Sequence, residues 1–124
     1  MNHKFLYLLM VIVALLLTAC QPENDKNPAL TGKWQGTEWL IFDEPSGQDA
    51  TKVYFEFRPD GSYEAGMGAQ NEKGVWRTVG DKLYTMAENR REIMVKILEV
   101  NANALKFEMN RGGQQETLIL KKVQ

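Results

Sequence analysis

The chain has 124 residues, with 15 lysines and arginines against 16 aspartates and glutamates, and a net charge of −1. Its basic residues form no cluster larger than the pairs Arg90-Arg91 and Lys121-Lys122, which argues against a nucleic-acid partner. The only cysteine, Cys20, excludes an internal disulfide.

The N-terminal segment has the order of a secretory signal. Lys4 precedes an apolar run over residues 5–17, and the small residues Thr18 and Ala19 follow it. A helix of about 13 residues extends only about 20 Å, whereas the hydrocarbon core of a bilayer is about 30 Å thick. We therefore expect residues 1–19 to form a signal peptide rather than a stable membrane span.

Cys20 directly follows the predicted signal peptide. The segment Leu17-Thr-Ala-Cys20 resembles the lipobox of bacterial lipoproteins, in which a peptidase cuts before the cysteine and the thiol carries a diacylglyceryl group. The resemblance implies a lipid anchor at Cys20 in the bacterial cell envelope. The outer membrane is the expected location, and the inner membrane is the alternative. An ordinary signal peptide followed by a buried thiol is the competing interpretation.

Cleavage before Cys20 would remove His3 and Lys4, leaving 14 basic against 16 acidic residues and a net charge of −2. Lipidation would also consume the only thiol. Histidine and cysteine supply the usual bases, nucleophiles and zinc ligands, so we expect no enzymatic activity, no cofactor and no metal site. The acids Asp43, Glu44 and Asp49 lack the spacing of a calcium loop, and carboxylate-only catalysis is the weakest alternative.

The rest of the chain divides into a short linker and one domain. Residues 20–29 are polar and contain Pro22 and Pro28, which predicts a lipidated flexible tether. Residues 30–124 then have a length typical of a single domain.

Within residues 30–124, apolar and polar residues alternate between short turn sequences, which predicts antiparallel strands. The clearest hairpin joins residues 52–58 to 62–67 through a Pro-Asp-Gly turn. Residues 92–100 alternate less well, and a short helix is the alternative there. The predicted strands cover 32–42, 52–58, 62–67, 73–79, 82–86, 92–100, 104–109 and 117–123. We expect an all-β fold, a small antiparallel up-and-down barrel of about eight strands, because closure removes exposed sheet edges.

Three motifs follow one another along these strands. They are Gly32-Lys-Trp34, the F-x-x-D-G-x-Y pattern of residues 57–63, and the G-x-W and G-D-x-L patterns of residues 74–83. In this order they resemble the lipocalin family and its bacterial lipocalin-like relatives, over most of residues 30–123. Because the chain has a single cysteine, we expect no counterpart of the disulfide of secreted lipocalins, and we expect no C-terminal helix of their kind.

The resemblance implies that Trp34 closes the narrow end of the barrel as a structural plug, under a basic side chain from the last strand. We assign Lys121 as that basic partner, with Lys122 as the alternative. A cation over an indole ring contributes roughly 0.5 to 2 kcal/mol.

The interior of such a barrel is either filled by side chains or holds one small apolar ligand. Small residues at Ala65, Gly66 and Gly68 indicate where volume could remain. The candidate ligand-binding residues are Phe55, Phe57, Tyr63, Trp76 and Phe107. The further predicted inward residues are Met67, Leu105, Met109, Leu118 and Leu120.

Two functions remain open from the sequence. The first is a membrane-anchored lipocalin-like lipoprotein that binds a small hydrophobic ligand in, or at the mouth of, the barrel. The alternative is a non-catalytic protein-interaction or inhibitor module on a filled barrel. Its loops 43–51 and 69–73 would then contact an envelope protein.

Overall fold

The computed structural model describes residues 25–124, so the predicted signal peptide, Cys20 and residues 20–24 lie outside the described residues. The strands are β1 (Gly32–Ile41), β2 (Glu44–Pro45), β3 (Val53–Phe57), β4 (Ser62–Met67), β5 (Gln70–Val79), β6 (Lys82–Ala87), β7 (Ile93–Val100), β8 (Ala104–Arg111) and β9 (Gln114–Val123). Short 3-10 helices at Pro28–Leu30 and Ala50–Lys52 precede β1 and β3.

Strands β3 to β9 pair in chain order, and β1 pairs with β3 on one side and with β9 on the other. Eight strands therefore close into an antiparallel barrel, while the two-residue β2 pairs with β1 outside the ring. The predicted all-β, up-and-down barrel is confirmed. Within residues 25–124, no helix combines the length and the apolar character needed to cross a bilayer.

Two details of the strands differ from the sequence prediction. β5 begins at Gln70, and its register pairs Met67 with Gln70 and Glu64 with Lys73, so the predicted loop 69–73 is mostly strand. β7 is the predicted strand, and it contains a register shift between Ile97 and Glu99 that the sequence prediction lacked. The shift explains the weak alternation, because it turns both Ile97 and Val100 toward the core.

The antiparallel order gives the barrel two ends. One end, which we call the closed end, is formed by residues 25–31, 58–61, 80–81 and 101–103. The opposite end, which we call the open end, is formed by residues 42–52, 68–69, 88–92 and 112–113. The hydrophobic core fills the barrel between them and includes Leu30 and Trp34, both without solvent exposure.

Trp34 plugs the closed end. Its indole Nε1 donates to the Leu30 carbonyl at 2.8 Å, and the Lys122 ammonium lies 4.6 Å from the centroid of its ring. Lys122 Nζ also donates to the Thr31 carbonyl. A Cβ at Gly32 would overlap the Lys122 side chain, and the φ of +122° at this position independently favours glycine.

The assignment of Lys121 as the basic partner is wrong. The β1–β9 register places Lys122 opposite Trp34 and Lys121 opposite Gln35. Because neighbours along a strand point to opposite faces, Lys122 shares the inner face with Trp34, and Lys121 is exposed outside the barrel.

Residues 25–29, which we expected to belong to the flexible tether, instead lie against β5. Asp25 N donates to the Thr78 carbonyl at 2.8 Å, and Thr78 Oγ1 donates to the Asp25 carbonyl at 2.9 Å. Asn27 N donates to the same hydroxyl at 3.0 Å. These bonds fix the chain at the closed end from Asp25 onward, so only residues 20–24 of the predicted tether lie outside the described structure.

We predict that Lys122→Met lowers the free energy of unfolding by about 1 to 2 kcal/mol, because it removes both the cation over Trp34 and the bond to Thr31. Urea denaturation of the purified protein measures the difference. Lys121→Met is the matched control and should change stability by less than about 0.5 kcal/mol. Equal losses in the two variants would contradict the assignment of Lys122 as the plug partner.

Candidate functional site

Aromatic side chains fill the middle of the barrel. Phe57, Tyr63, Trp76 and Phe107 are each at most 2% exposed. Phe57 lies 5.3 Å from Trp76 and 6.2 Å from Tyr63 between ring centroids, and Phe55 lies 5.8 Å from Phe107. Of the five predicted ligand contacts, only Phe55 is half-buried. Ligand binding by these five residues stays a prediction, and the structure shows four of them packed as core.

A depression of about 500 Å³ lies at the open end, above this core. It is lined by Trp39, Ile41, Gln48, Arg111, Gln114 and Glu116. The side chains come from β1, β8, β9 and the segment between β2 and β3. Trp39 and Met109 are partly buried and pack on the core below. The depression therefore brings the apolar side chains of Trp39 and Ile41 next to a carboxylate, a guanidinium and two amides.

Trp39 reaches this position because of a bulge in β1. Gly36 lies opposite Leu120, whereas Glu38 lies opposite Ile119, so the register shifts between these positions. Strict alternation would put Trp34 and Trp39 on opposite faces of the strand. The extra residue reverses the alternation, and both indoles consequently face the interior.

Glu116 is the least expected residue of the open end, because it is a carboxylate that is only 2% exposed. Its Oε1 accepts a hydrogen bond of 2.8 Å from Trp39 Nε1. Its Oε2 lies 3.5 Å from Arg111 Nε, yet it accepts no hydrogen bond from the described residues. Buried carboxylate oxygens are normally hydrogen-bonded, so Oε2 is an acceptor without a donor.

Sequence reasoning missed both Trp39 and Glu116. The predicted last strand began at residue 117, one residue after Glu116, whereas β9 begins at Gln114. The available signal was the spacing of Glu116, Leu118 and Leu120, which places the carboxylate on the same inward face as two buried leucines.

A second carboxylate–arginine pair lies on the opposite wall of the open end. Glu72 on β5 lies opposite Ala65 in the strand register, and its Oε2 is 3.7 Å from Arg90 Nη1. Three strands separate β5 from β9 in either direction around the ring, so this pair faces Glu116 across the barrel. A small cleft of about 60 Å³ lies beside it, next to Ala65 and Met67.

Tyr63 closes the core beneath this pair. Burial raises the pKa of its phenol above the ordinary value, and the nearby negative charge of Glu72 raises it further. A hydrogen bond with the Thr85 side chain acts in the opposite direction.

The segment between β2 and β3 forms one wall of the open end. Residues 45–51 enclose a depression of about 540 Å³ against residues 37–40 of β1, and Trp39 lines it as well. Asp49 in this segment accepts hydrogen bonds from the Thr51 amide and hydroxyl, which lower the pKa of its carboxyl. This acid therefore caps the Ala50–Lys52 turn. Within residues 25–124, no group of three acidic, histidine or cysteine side chains is placed to hold a metal ion.

Comparison with known proteins gives the following findings. The sequence model of the lipocalin-like domain family matches residues 30–107 of this chain. The structure is similar to a lipocalin-like protein from Bacteroides uniformis, with a TM-score of 0.61, 17% identity, and coverage of 77% of this chain and 99% of that one. It is also similar to an uncharacterized protein from Bacteroides eggerthii, with a TM-score of 0.59, 16% identity, and coverage of 76% and 99%. No curated protein matches the chain.

The raised pKa of Tyr63 predicts a loss of stability at alkaline pH. The folded protein holds the phenolic proton more tightly than the unfolded chain, so the free energy of unfolding should fall as pH rises above about 10. Tyr63→Phe removes the ionising group and should flatten this part of the profile, as measured by urea denaturation across the alkaline range. Tyr54→Phe, at an exposed position on β3, is the control and should keep the wild-type profile. The same alkaline slope in Tyr63→Phe and wild type would contradict the prediction.

Proposed function

Because the chain belongs to the lipocalin-like domain family, we propose that it is a non-enzymatic binding protein that takes a small, largely apolar molecule at the open end of its barrel. The observation that carries the proposal is the depression of about 500 Å³ around Trp39 and Glu116. Ligand sites are typically concave and apolar, with a few polar groups that orient the ligand. The depression is concave and places the apolar side chains of Trp39 and Ile41 beside several polar groups, among them Glu116 and Arg111.

The filled core supports binding at the mouth rather than deep in the barrel. A ligand in the middle would have to displace side chains such as Phe57, Tyr63 or Trp76, which are at most 2% exposed. Each large apolar side chain moved from the core into water costs roughly 1.5 to 3 kcal/mol. Trp39 and Met109 already present partly buried apolar surface to the open end, and contact with them needs no such displacement.

We further propose that the protein is anchored to a membrane of the bacterial cell envelope through a lipid on Cys20, as the lipobox resemblance implies. Asp25 is bonded to Thr78 at the closed end, five residues after Cys20. A fully extended segment of that length spans at most about 18 Å. The anchor would hold the closed end near the bilayer and direct the open end toward the aqueous phase, where a soluble ligand can enter.

A protein-interaction module on the same scaffold is the alternative function. The observation that favours it is a group of exposed apolar side chains on the outer face of β5, β6 and β7, namely Val75, Met86, Met94 and Leu98. Such a module would retain an envelope protein and would leave the open end without a ligand.

The anchoring proposal predicts that Cys20→Ser abolishes lipid attachment. In cells supplied with an alkyne palmitate analogue, the wild-type protein should be labelled and should sediment with membranes, because buried acyl chains add about 0.8 kcal/mol per methylene. The variant should be unlabelled and should shift to the soluble fraction. Membrane retention of the unlabelled variant after a carbonate wash would contradict the proposed anchor.

The binding proposal predicts that small aromatic and short-chain amphipathic molecules change the fluorescence of Trp39. Trp34 and Trp76 are buried in the core, so the response should come from the indole at the open end. Trp39→Ala should weaken binding by about ten-fold, as measured by calorimetry, because the large apolar contact is lost. Met94→Ala, on the outer face of β7, is the matched control and should bind like the wild type. A panel without any fluorescence change or heat of binding would favour the alternative function.

A further inference from the structure

We propose that the open-end site selects ligands that carry a protonated amine on an apolar body, with Glu116 Oε2 as the acceptor for the ammonium group. This inference rests on the proposed function, because it assigns a ligand class to the same site. The observation behind it is that the buried carboxylate of Glu116 has a hydrogen bond to only one of its two oxygens.

Glu116 is buried with only one of its two oxygens hydrogen-bonded. One carboxylate oxygen accepts from Trp39 Nε1 at 2.8 Å, and this bond holds the group inside the barrel. The other oxygen is shielded from solvent and accepts no hydrogen bond from residues 25–124. A carboxylate removed from water is stabilised only when its charge and its lone pairs are compensated. Oε2 thus offers a strong, oriented acceptor to an entering donor.

Arg111 supplies the cation beside Oε2, and it compensates the carboxylate only in part. Arg111 Nε lies 3.5 Å from Oε2, and the Arg111 side chain is 60% exposed. Because most of this guanidinium lies in water, its attraction for Oε2 is partly screened, and no hydrogen bond joins the two groups. The long side chain can also turn to solvent without breaking the hydrogen bond that Trp39 donates to Glu116. A ligand ammonium can therefore take the position facing Oε2 without disturbing the Trp39 contact.

The two carboxylate–arginine pairs of the open end determine the sign of the charge that an entering ligand meets. On both walls the carboxylate is less exposed than its arginine: 3% against 60% for the side chains of Glu116 and Arg111, and 27% against 63% for Glu72 and Arg90. The lining is consequently acidic inside and basic at the rim. A ligand carboxylate that enters would face a buried like charge, whereas an ammonium would face an opposite one.

Apolar side chains near Glu116 determine which ligand body fits the site. Trp39 and Ile41 line the depression, and Met109 lies opposite Glu116 in the β8–β9 register. An amine that donates to Oε2 would place its attached carbon chain or ring among these apolar side chains. The site therefore fits an aralkyl or short alkyl amine better than a small hydrophilic cation.

The experiment is calorimetric titration of the purified protein with three probes that share one ring and differ in the polar group: 2-phenylethylamine, 2-phenylethanol and phenylacetate. We expect the amine to bind about ten-fold more tightly than the alcohol, and phenylacetate to bind most weakly. Glu116→Gln keeps an acceptor for Trp39 and should remove this preference. Glu108→Gln, on the outer face of the same hairpin, should retain it.

A second variant keeps the proposal testable if Glu116→Gln folds poorly. Arg111→Gln changes an exposed side chain and removes the competing cation, so the preference of amine over carboxylate should increase. Equal affinities for the amine and the alcohol, or an unchanged preference in Glu116→Gln, would overturn the inference and leave the proposed function standing. Absence of binding by all three probes to the wild type would overturn both.

Discussion

The ladder between β1 and β9 is the interaction on which the rest of the structure depends. It pairs Lys33 with Val123 at the closed end and Ile41 with Glu116 at the open end. Without it, the eight strands would form an open sheet with two exposed edges. The same ladder brings Lys122 over Trp34 and Glu116 against Trp39. The β1–β9 ladder therefore accounts for three features. It closes the barrel, places Lys122 over Trp34 at the closed end, and places Glu116 beside Trp39 at the open end.

The bulge in β1 adds a constraint that is separate from closure. Trp34 and Trp39 are five positions apart, and an undistorted strand would place one of them outside the barrel. The shift after Gly36 lets one indole seal the closed end and the other line the open end. β7 uses the same device, so that Ile97 and Val100 both reach the core. In both strands, the break in alternation turns an apolar side chain into the barrel that would otherwise face outward.

The architecture could be predicted because alternation and turn chemistry are local properties of the sequence. Strand registers are not local, and the errors follow from that difference. The choice between Lys121 and Lys122 depends on the β1–β9 register. A shift of one residue in that register exchanges the inner and outer faces of the strand. The inward position of Trp39 required a bulge in β1, and the isolated Gly36 inside the strand was its local signal. Whether the inward aromatics leave a cavity depends on how Phe55, Phe57 and their neighbours pack in three dimensions, which periodicity does not specify.

The ladder that closes the barrel also determines the order in which the fold can be completed. It joins the first strand to the last, so its contacts have the greatest sequence separation in the domain. Such contacts are slow to form, because the entropy of closing a long loop is lost before the strands pair. Until Gln114–Val123 has been synthesised and paired, one edge of β1 stays unpaired and Trp34 lacks the Lys122 ammonium over its ring. We therefore expect folding of the nascent domain to depend on Gln114–Val123, and the free edge of β1 to be exposed to aggregation until the ring closes.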